Sequence, residues 1–575
     1  MENFNELTLL KRKPFYLNDD SIEWVRNTID AMSNDEKIGQ LFCMVSYAGD
    51  TGEFLQKITD DIKPGGLMCR KMSSKDAVTI INTLQKNSKI PMLIAANLEA
   101  GGDGIIEEGT RLGSPMQVAA TADTGMAEKL GIICAEEGGA LGVNWAFAPI
   151  VDIDYNFRNP ITNTRTFGSS PRRVAEMGQA YITAVQKRGM AACAKHFPGD
   201  GVDERDHHLV SSVNDFSCEK WDESFGQVYR SCIDTGVLSV MIGHIIFPEY
   251  IRKFNATIKD GDMLPASLSP EIITGLLRNT LGFNGLVVSD ATTMAGMNIA
   301  MPRAKAVPAC IAAGCDMFLF TKNMEEDILF MKRGFEKGII TIRRLHEALL
   351  RILGMKAALG LHKQQNEGSL CKDVQSVQMQ IGKPEYKVWA EECADTGITL
   401  VKEEPGVLPL SVERYKKILF YTIESQQGYS YSVKVGAAEA LRKRLIEAGF
   451  DIEEFDPSQG EEGRLKASSE FVGKYDLIIY VANLATKSNQ TSIRIEWAMP
   501  MGANVPVYIA SIPTIFISLE NPYHLLDVPR IKTFINTYNS SDTVLDTLVN
   551  KLIGRSSFKG TSPVDPFCGK WDTRL

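Results

Sequence analysis

Between residues 39 and 320 a short, nearly continuous apolar run recurs eight times, each followed by a longer stretch with helical spacing. The runs are GQLFCMVS (39–46), GGLMC (65–69), PMLIAANLE (91–99), NWAFAPIVD (144–152), MAACAKHF (190–197), VLSVMIGHI (237–245), GLVVSDA (285–291) and DMFLF (316–320). A strand wetted on one face alternates apolar with polar residues, so runs without that alternation belong to parallel strands covered on both faces. The segments between them, SSKDAVTIINTLQKN for example, open on cap-forming residues and carry apolar positions at helical spacing. Eight such units predict a (β/α)8 barrel, in which functional groups stand at the C-terminal ends of the strands. At or just past those ends lie Glu99, Asp152, Lys195, His196, His244 and Asp290.

A chain of 575 residues is too long for one compact core. The expected division is a barrel over residues 1–361, a polar linker, HKQQNEGSLCKDVQSVQ, over 362–378, and a second α/β domain of sandwich type over 379–575. In that last part KILFYTIE (417–424), DLIIYVANLA (476–485), VPVYIASI (505–512), TIFISLEN (514–521) and TFINTY (533–538) read as strands, and AAEALRKRLIEAGF (437–450) as an amphipathic helix. No glycine-rich phosphate loop joins a strand to a helix there, so no nucleotide cofactor is expected. The net charge of −9 speaks against nucleic acid and anionic membranes as partners. The first residues lack the pattern of a secretory signal and no apolar run is long enough to span a membrane, so the expected location is cytoplasmic. Eleven cysteines without a CxxC pair read as buried reduced thiols rather than a disulfide framework or a zinc site.

Two segments carry chemistry. GLVVSDATTM (285–294) places Asp290 at the end of a buried strand, rigid enough to act as a nucleophile toward an electrophilic carbon, although an aspartate there also serves as a helix cap. AKHFPGDGVDERDHHLV (194–210) ends a strand on Lys195 and His196, then turns through Pro198, Gly199 and Gly201 into a loop bearing Asp206, His207 and His208. Asp206 and His208, two positions apart, suit a carboxylate that fixes an imidazole tautomer for proton transfer. A metal site built from His196, Asp206, His207 and His208, or a loop held by salt bridges around Arg205, are the competing readings, and these residues alone leave all three open.

Taken together, AKHFPGDGVDERDHH, MIGHIIFP (241–248) and PASLSPEIITGLLRNTLGFNGLVVSDATTM (265–294) resemble the barrel signatures of glycoside hydrolase family 3, in its β-N-acetylglucosaminidase branch, where KHFPGHG is followed four residues later by DSH. The segment APIVDIDYNFRNPITNTRTFGSSP (148–171) is similar to the family's stretch with a substrate-binding arginine, here Arg165. ITLVKEEPGVLPLS (398–411) and FKGTSPV (558–564) resemble the start and end of the family's second domain. The resemblance implies a retaining exo-β-N-acetylglucosaminidase. Asp290 would be the nucleophile and His208, oriented by Asp206, the acid/base, while Arg165, Lys195, His196 and His244 hold the sugar. It implies no metal and no organic cofactor, a small carbohydrate as substrate, and a second domain that lines the substrate or mediates a homodimer.

The departures bear on specificity. Asn97 stands where the family has the aspartate that binds sugar hydroxyls, leaving Glu99 or Asp103 to take that part, Asp200 replaces a histidine, and His207 a serine. A histidine acid/base is neutral once it has given up its proton, so an anionic acceptor such as phosphate can approach in the second step. Phosphorolysis of β-N-acetylglucosaminides, a β-glucosidase or β-xylosidase activity, and a catalytically silent sugar-binding protein are therefore the alternatives.

Overall fold

The computed structural model describes residues 6–50, 52–424, 436–456, 468–486, 488–489, 491–492, 494–497, 499, 502 and 504–575. These divide into two compact units: 1–112, 127–153 and 171–386 in the first, and 113–126, 154–170 and 387–575 in the second.

In the first unit each of the eight apolar runs contains a strand. They are β1 (Phe42–Ser46), β2 (Gly66–Cys69), β3 (Leu93–Ala96), β4 (Trp145–Ala146), β5 (Ala191–Phe197), β7 (Ser239–Ile242), β9 (Leu286–Ser289) and β10 (Phe318–Leu319). The order β10-β1-β2-β3-β4-β5-β7-β9 is parallel throughout, and a bridge between Val288 and Met317 spans the last gap, giving a nearly closed (β/α)8 barrel. Two-residue strands β6 (Ser212–Val213) and β8 (Ile245–Ile246) pair as a separate parallel ribbon. Burial on both faces is complete along β2, β3, β5, β7 and β9, which is why those sequences lack alternation. Each fully buried large aliphatic side chain contributes about 1.5–3 kcal/mol. Two polar side chains on the barrel strands are paired: Trp145 Nε1 donates to Ser239 Oγ at 2.7 Å, and Ser239 Oγ donates to the Ala192 carbonyl at 2.8 Å.

The polar stretch 362–378 belongs to the first unit. It holds the helices Leu361–Glu367 and Val374–Gln378, and Asn82 clasps the backbone of Lys372 through both its amide groups.

A buried lysine makes the barrel's floor sensitive to pH. Lys356, on the helix Ile342–Ala358, is fully buried with its ammonium on Gln40 Oε1 at 2.7 Å, and burial pushes it down to about 7 from an ordinary value of 10.5. The unfolded chain therefore binds the extra proton between those values, and the penalty carried by Lys356 is full below pH 7 and fades as pH rises toward 10.5. Lys356→Met is expected to raise the melting temperature more at pH 6 than at pH 9, by roughly 2–4 °C, measured by differential scanning fluorimetry.

The second unit is built on a six-stranded sheet, order β11-β16-β15-β14-β12-β13, with β11 (Thr399–Lys402) antiparallel to β16 (Thr533–Asn536). The remaining strands, β12 (Ile418–Glu424), β13 (Ile452–Glu454), β14 (Leu477–Asn483) and β15 (Thr514–Ser518), run parallel. Alternate residues feed opposite faces: Phe420, Ile479 and Ile517 join one hydrophobic cluster, Tyr421, Tyr480 and Phe516 the other. VPVYIASI is a correction to the reading of the sequence, because residues 507–511 form turns and not a strand. Pro506 and Pro513 bracket the stretch and lack the N–H a ladder needs, and Val507 stays exposed while Tyr508 and Ile512 pack into the core.

Candidate active site

The end of β9 delivers Asp290 to the barrel mouth. Its backbone N–H donates to the Ile242 carbonyl at 2.8 Å, and its Oδ1 accepts from the Ala291 N–H at 2.7 Å, so one carboxylate oxygen is fixed by the main chain. Oδ2 faces two imidazoles, with His196 Nε2 at 3.9 Å and His207 Nε2 at 3.8 Å. Burial would raise this carboxyl, but the ring of His196, His207, His244 and His208 outweighs it and holds Asp290 well below the usual carboxylate range. The group stands ionised with one oxygen free to react.

His196 is set by Asp152, which follows β4. Asp152 Oδ2 takes His196 Nδ1 at 2.7 Å, while its Oδ1 accepts the backbone N–H groups of His196 at 3.0 Å and Asp200 at 2.8 Å. Burial works against the Asp152 anion, but His196 and these two N–H donors keep it below its ordinary value. Nδ1 is thus the donor toward Asp152, and Nε2 is the nitrogen turned to Asp290. Lys195, one residue earlier on β5, sends its ammonium to Glu99 Oε1 at 2.8 Å. Asn97 and Glu99 follow β3 and are both half-buried, whereas Asp103 is taken by Arg111 at 3.1 Å.

The loop after β5 carries the proposed proton-transfer pair. Asp206 Oδ1 accepts the backbone N–H of His208 at 2.8 Å and pairs with His208 Nδ1 at 2.7 Å. Asp206 is buried, while the His208 side chain is 27% exposed, so the orienting group is sheltered and the working imidazole reaches solvent. The loop is docked on the segment that follows Asp290, because the His208 carbonyl accepts the Ala295 N–H and the His207 carbonyl the Gly296 N–H, at 3.0 and 3.1 Å. A Cβ on Gly296 would lie 2.6 Å from the His207 carbonyl oxygen, so only glycine admits this docking. At the other end Gly199, at φ +122°, turns the chain where any Cβ would strike the Phe225 ring at 2.2 Å.

His244 lies beside the segment that follows Asp290. It is fully buried, with Nε2 on the Ala291 carbonyl at 3.1 Å and Nδ1 on Ser267 Oγ at 2.7 Å. Nε2 must donate to the carbonyl, so Nδ1 accepts from the serine. Both ring nitrogens are thereby engaged by the protein, and the ring holds the residue after Asp290. Arg165 belongs to the second unit, at the end of the turn Asn163–Arg165, where its guanidinium meets the Ile161 carbonyl at 3.4 Å. Sequence reading passed over Ser267 and gave Asp152 no part; nothing local marks the serine, and Asp152 lies 44 residues from the histidine it orients. Among the described residues no group of three or more His, Cys, Asp or Glu is placed to hold a metal ion, and all eleven cysteines are free, nine of them buried.

The model of the glycosyl hydrolase family 3 N-terminal domain matches residues 33–355, more than half of the chain and the whole of the barrel's strand set. This protein belongs to glycoside hydrolase family 3. The family 3 chain is 51% identical over 567 residues, 98% of its length and 100% of the relative's, to a Cellulomonas fimi protein named β-N-acetylglucosaminidase/β-glucosidase. A solved structure described as β-glucoside phosphorylase BglX bound to 2FGlc superposes with a TM-score of 0.92 at 41% identity, covering 98% of this chain and 100% of that one. A family 3 β-N-acetylglucosaminidase from Paenibacillus sp. str. FPU-7, 22% identical with a TM-score of 0.76 over 94% of this chain and all of that one, shares the fold. The family 3 enzyme is a glycosidase by membership, and no helix among its described residues is long and apolar enough to cross a membrane.

Proposed function

We propose that the enzyme is a retaining, exo-acting β-glycosidase that releases terminal β-linked N-acetylglucosamine, with β-glucosides as a second class of substrate. One observation carries this reading: an ionised Asp290 with a free Oδ2 shares the barrel mouth with a carboxylate-oriented imidazole, His208 on Asp206 at 2.7 Å. In the first step Asp290 Oδ2 attacks the anomeric carbon as His208 Nε2–H gives its proton to the departing oxygen. In the second, neutral His208 takes a proton from water, the new C–O bond forms, and the bond to Asp290 breaks with its electron pair returning to the carboxylate. Lys195, Glu99, His196 and Asn97, at the ends of β5 and β3, are the groups placed to take sugar hydroxyls. The dual name of the Cellulomonas fimi relative supports acceptance of both sugars.

A second reading changes only the acceptor. After the first step the imidazole is neutral, and an incoming phosphate meets less negative charge than a glutamate base would present. The whole-length likeness at 41% identity to a protein described as a β-glucoside phosphorylase favours it. Aryl β-glycosides of N-acetylglucosamine, glucose and xylose, assayed with and without phosphate, separate the two. Hydrolysis yields free sugar at a rate independent of phosphate; phosphorolysis yields the sugar 1-phosphate and needs it. Turnover of none of these glycosides would defeat both.

A further inference from the structure

His207 has no part in the scheme above, yet its Nε2 lies 3.8 Å from Asp290 Oδ2. It is fully buried, and neither ring nitrogen has a hydrogen-bond partner. An unsatisfied polar atom in such a place costs about 1–3 kcal/mol, so its retention calls for a state in which it is satisfied. Its Nε2 lies 3.8 Å from Asp290 Oδ2 and 3.8 Å from Asp200 Oδ2. A lone pair would be repelled by the ionised Asp290, so Nε2 carries the hydrogen. Burial pushes the imidazole down to about 3, and of the groups around it Asp290 opposes that while His208, His196 and His244 add to it. His207 is therefore a neutral donor.

The placement closes a ring. Asp152 holds His196, His196 faces Asp290, Asp290 faces His207, His207 faces Asp200, and the backbone N–H of Asp200 returns to Asp152 at 2.8 Å. The ring holds three aspartates, Asp290 among them, and two imidazoles that flank Asp290 on either side. The half of the ring made by Asp200 and His207 occupies the two positions at which the sequence departs from the family's KHFPGHG and DSH pattern.

We infer that His207, with Asp200 behind it, is a positioning residue for Asp290 whose Nε2–H stabilises the carboxylate as it is released from the glycosyl-enzyme. The inference rests on the retaining reading above. While Asp290 is bonded to the sugar it carries no charge, and Asp200 Oδ2, 3.8 Å away, is the acceptor left for the Nε2 hydrogen. As the C–O bond breaks in the second step its electron pair returns to Oδ2, and the Nε2–H turns toward the charge that appears there. No proton leaves His207; the proton of the attacking water goes to His208. The donor must shorten a 3.8 Å contact to act, which a small shift of either side chain supplies.

The direction of the effect distinguishes this from mere packing. In the first step Asp290 loses charge, so removing a donor that stabilises its ionised form leaves that step as fast or faster; in the second it regains charge, and removal slows it. The test uses the full chain inactivated by a 2-deoxy-2-fluoro glycoside with a good leaving group. His207→Ala is expected to leave kcat/KM for an activated aryl glycoside within about threefold while slowing reactivation of the fluoroglycosyl-enzyme by about tenfold or more. His207→Gln, whose amide nitrogen falls near the place of Nε2, is expected to restore reactivation to within about threefold. Equal losses in kcat/KM and reactivation, a glutamine variant as slow as the alanine one, or unchanged reactivation of an enzyme labelled at Asp290 would each overturn the inference. Labelling at another residue removes the retaining reading itself, which the peptide mass reports separately.

Discussion

Asp290→Ala is expected to lower kcat/KM for aryl β-glycosides by at least about 10⁴-fold, the scale on which loss of a covalent nucleophile falls. The residue stands at the end of a rigid strand, with Oδ1 held by the Ala291 N–H and Oδ2 open, so removing the side chain leaves the barrel intact and a small void at the anomeric carbon. Azide is small enough to enter that void. If Asp290 attacks the β-linked sugar, azide replaces it in the alanine variant and gives an α-glycosyl azide, detectable by NMR, with turnover restored in part. No azide product, or residual activity above about a hundredth of the parent, would take the nucleophile's part away from Asp290.

His208→Ala carries the second-largest effect, and it should depend on the leaving group. Natural glycosides depart as poor alkoxides that need a proton in flight, and the loss there is expected at about 10²–10⁴-fold. A dinitrophenolate departs without help, so kcat/KM for its glycoside should fall by less than about tenfold. Asp206→Asn is the companion: the amide keeps the shape of the 2.7 Å contact to Nδ1 but not its charge, so activity on natural glycosides is expected to fall more than activity on the dinitrophenyl glycoside. Equal losses of His208→Ala on both kinds of glycoside would leave the histidine a structural part only.

What could be read from residues alone follows from how local each signal is. The barrel strands were legible because burial on both faces removes alternation within five to nine residues of chain, and Asp206 with His208 was legible because the pair is complete within three. Asp152 was visible as a residue at a strand end, but the ring it orients lies on another strand and only the closed barrel brings them to 2.7 Å. His244 shows the same limit. Its place after β7 is visible in the sequence, but its partners Ser267 and the Ala291 carbonyl, 23 and 47 positions away, are not. The apolar VPVYIASI misleads for the same kind of reason, since hydrophobicity reports burial and not the hydrogen-bonding partner that makes a strand.

The interleaving of the two compact units has a consequence for how this polypeptide is made and cut. Segments 113–126 and 154–170 emerge from the ribosome early but belong with a unit whose main part begins at residue 387. Asp154 and Tyr523, 369 positions apart, share a buried hydrogen bond at 2.5 Å, so synthesis must run almost to its end before that contact exists. The N-terminal part therefore cannot finish maturing as an independent bead on a string, and gene truncation at the boundary after residue 386, or grafting a different C-terminal half onto this barrel, leaves two segments without their native neighbours.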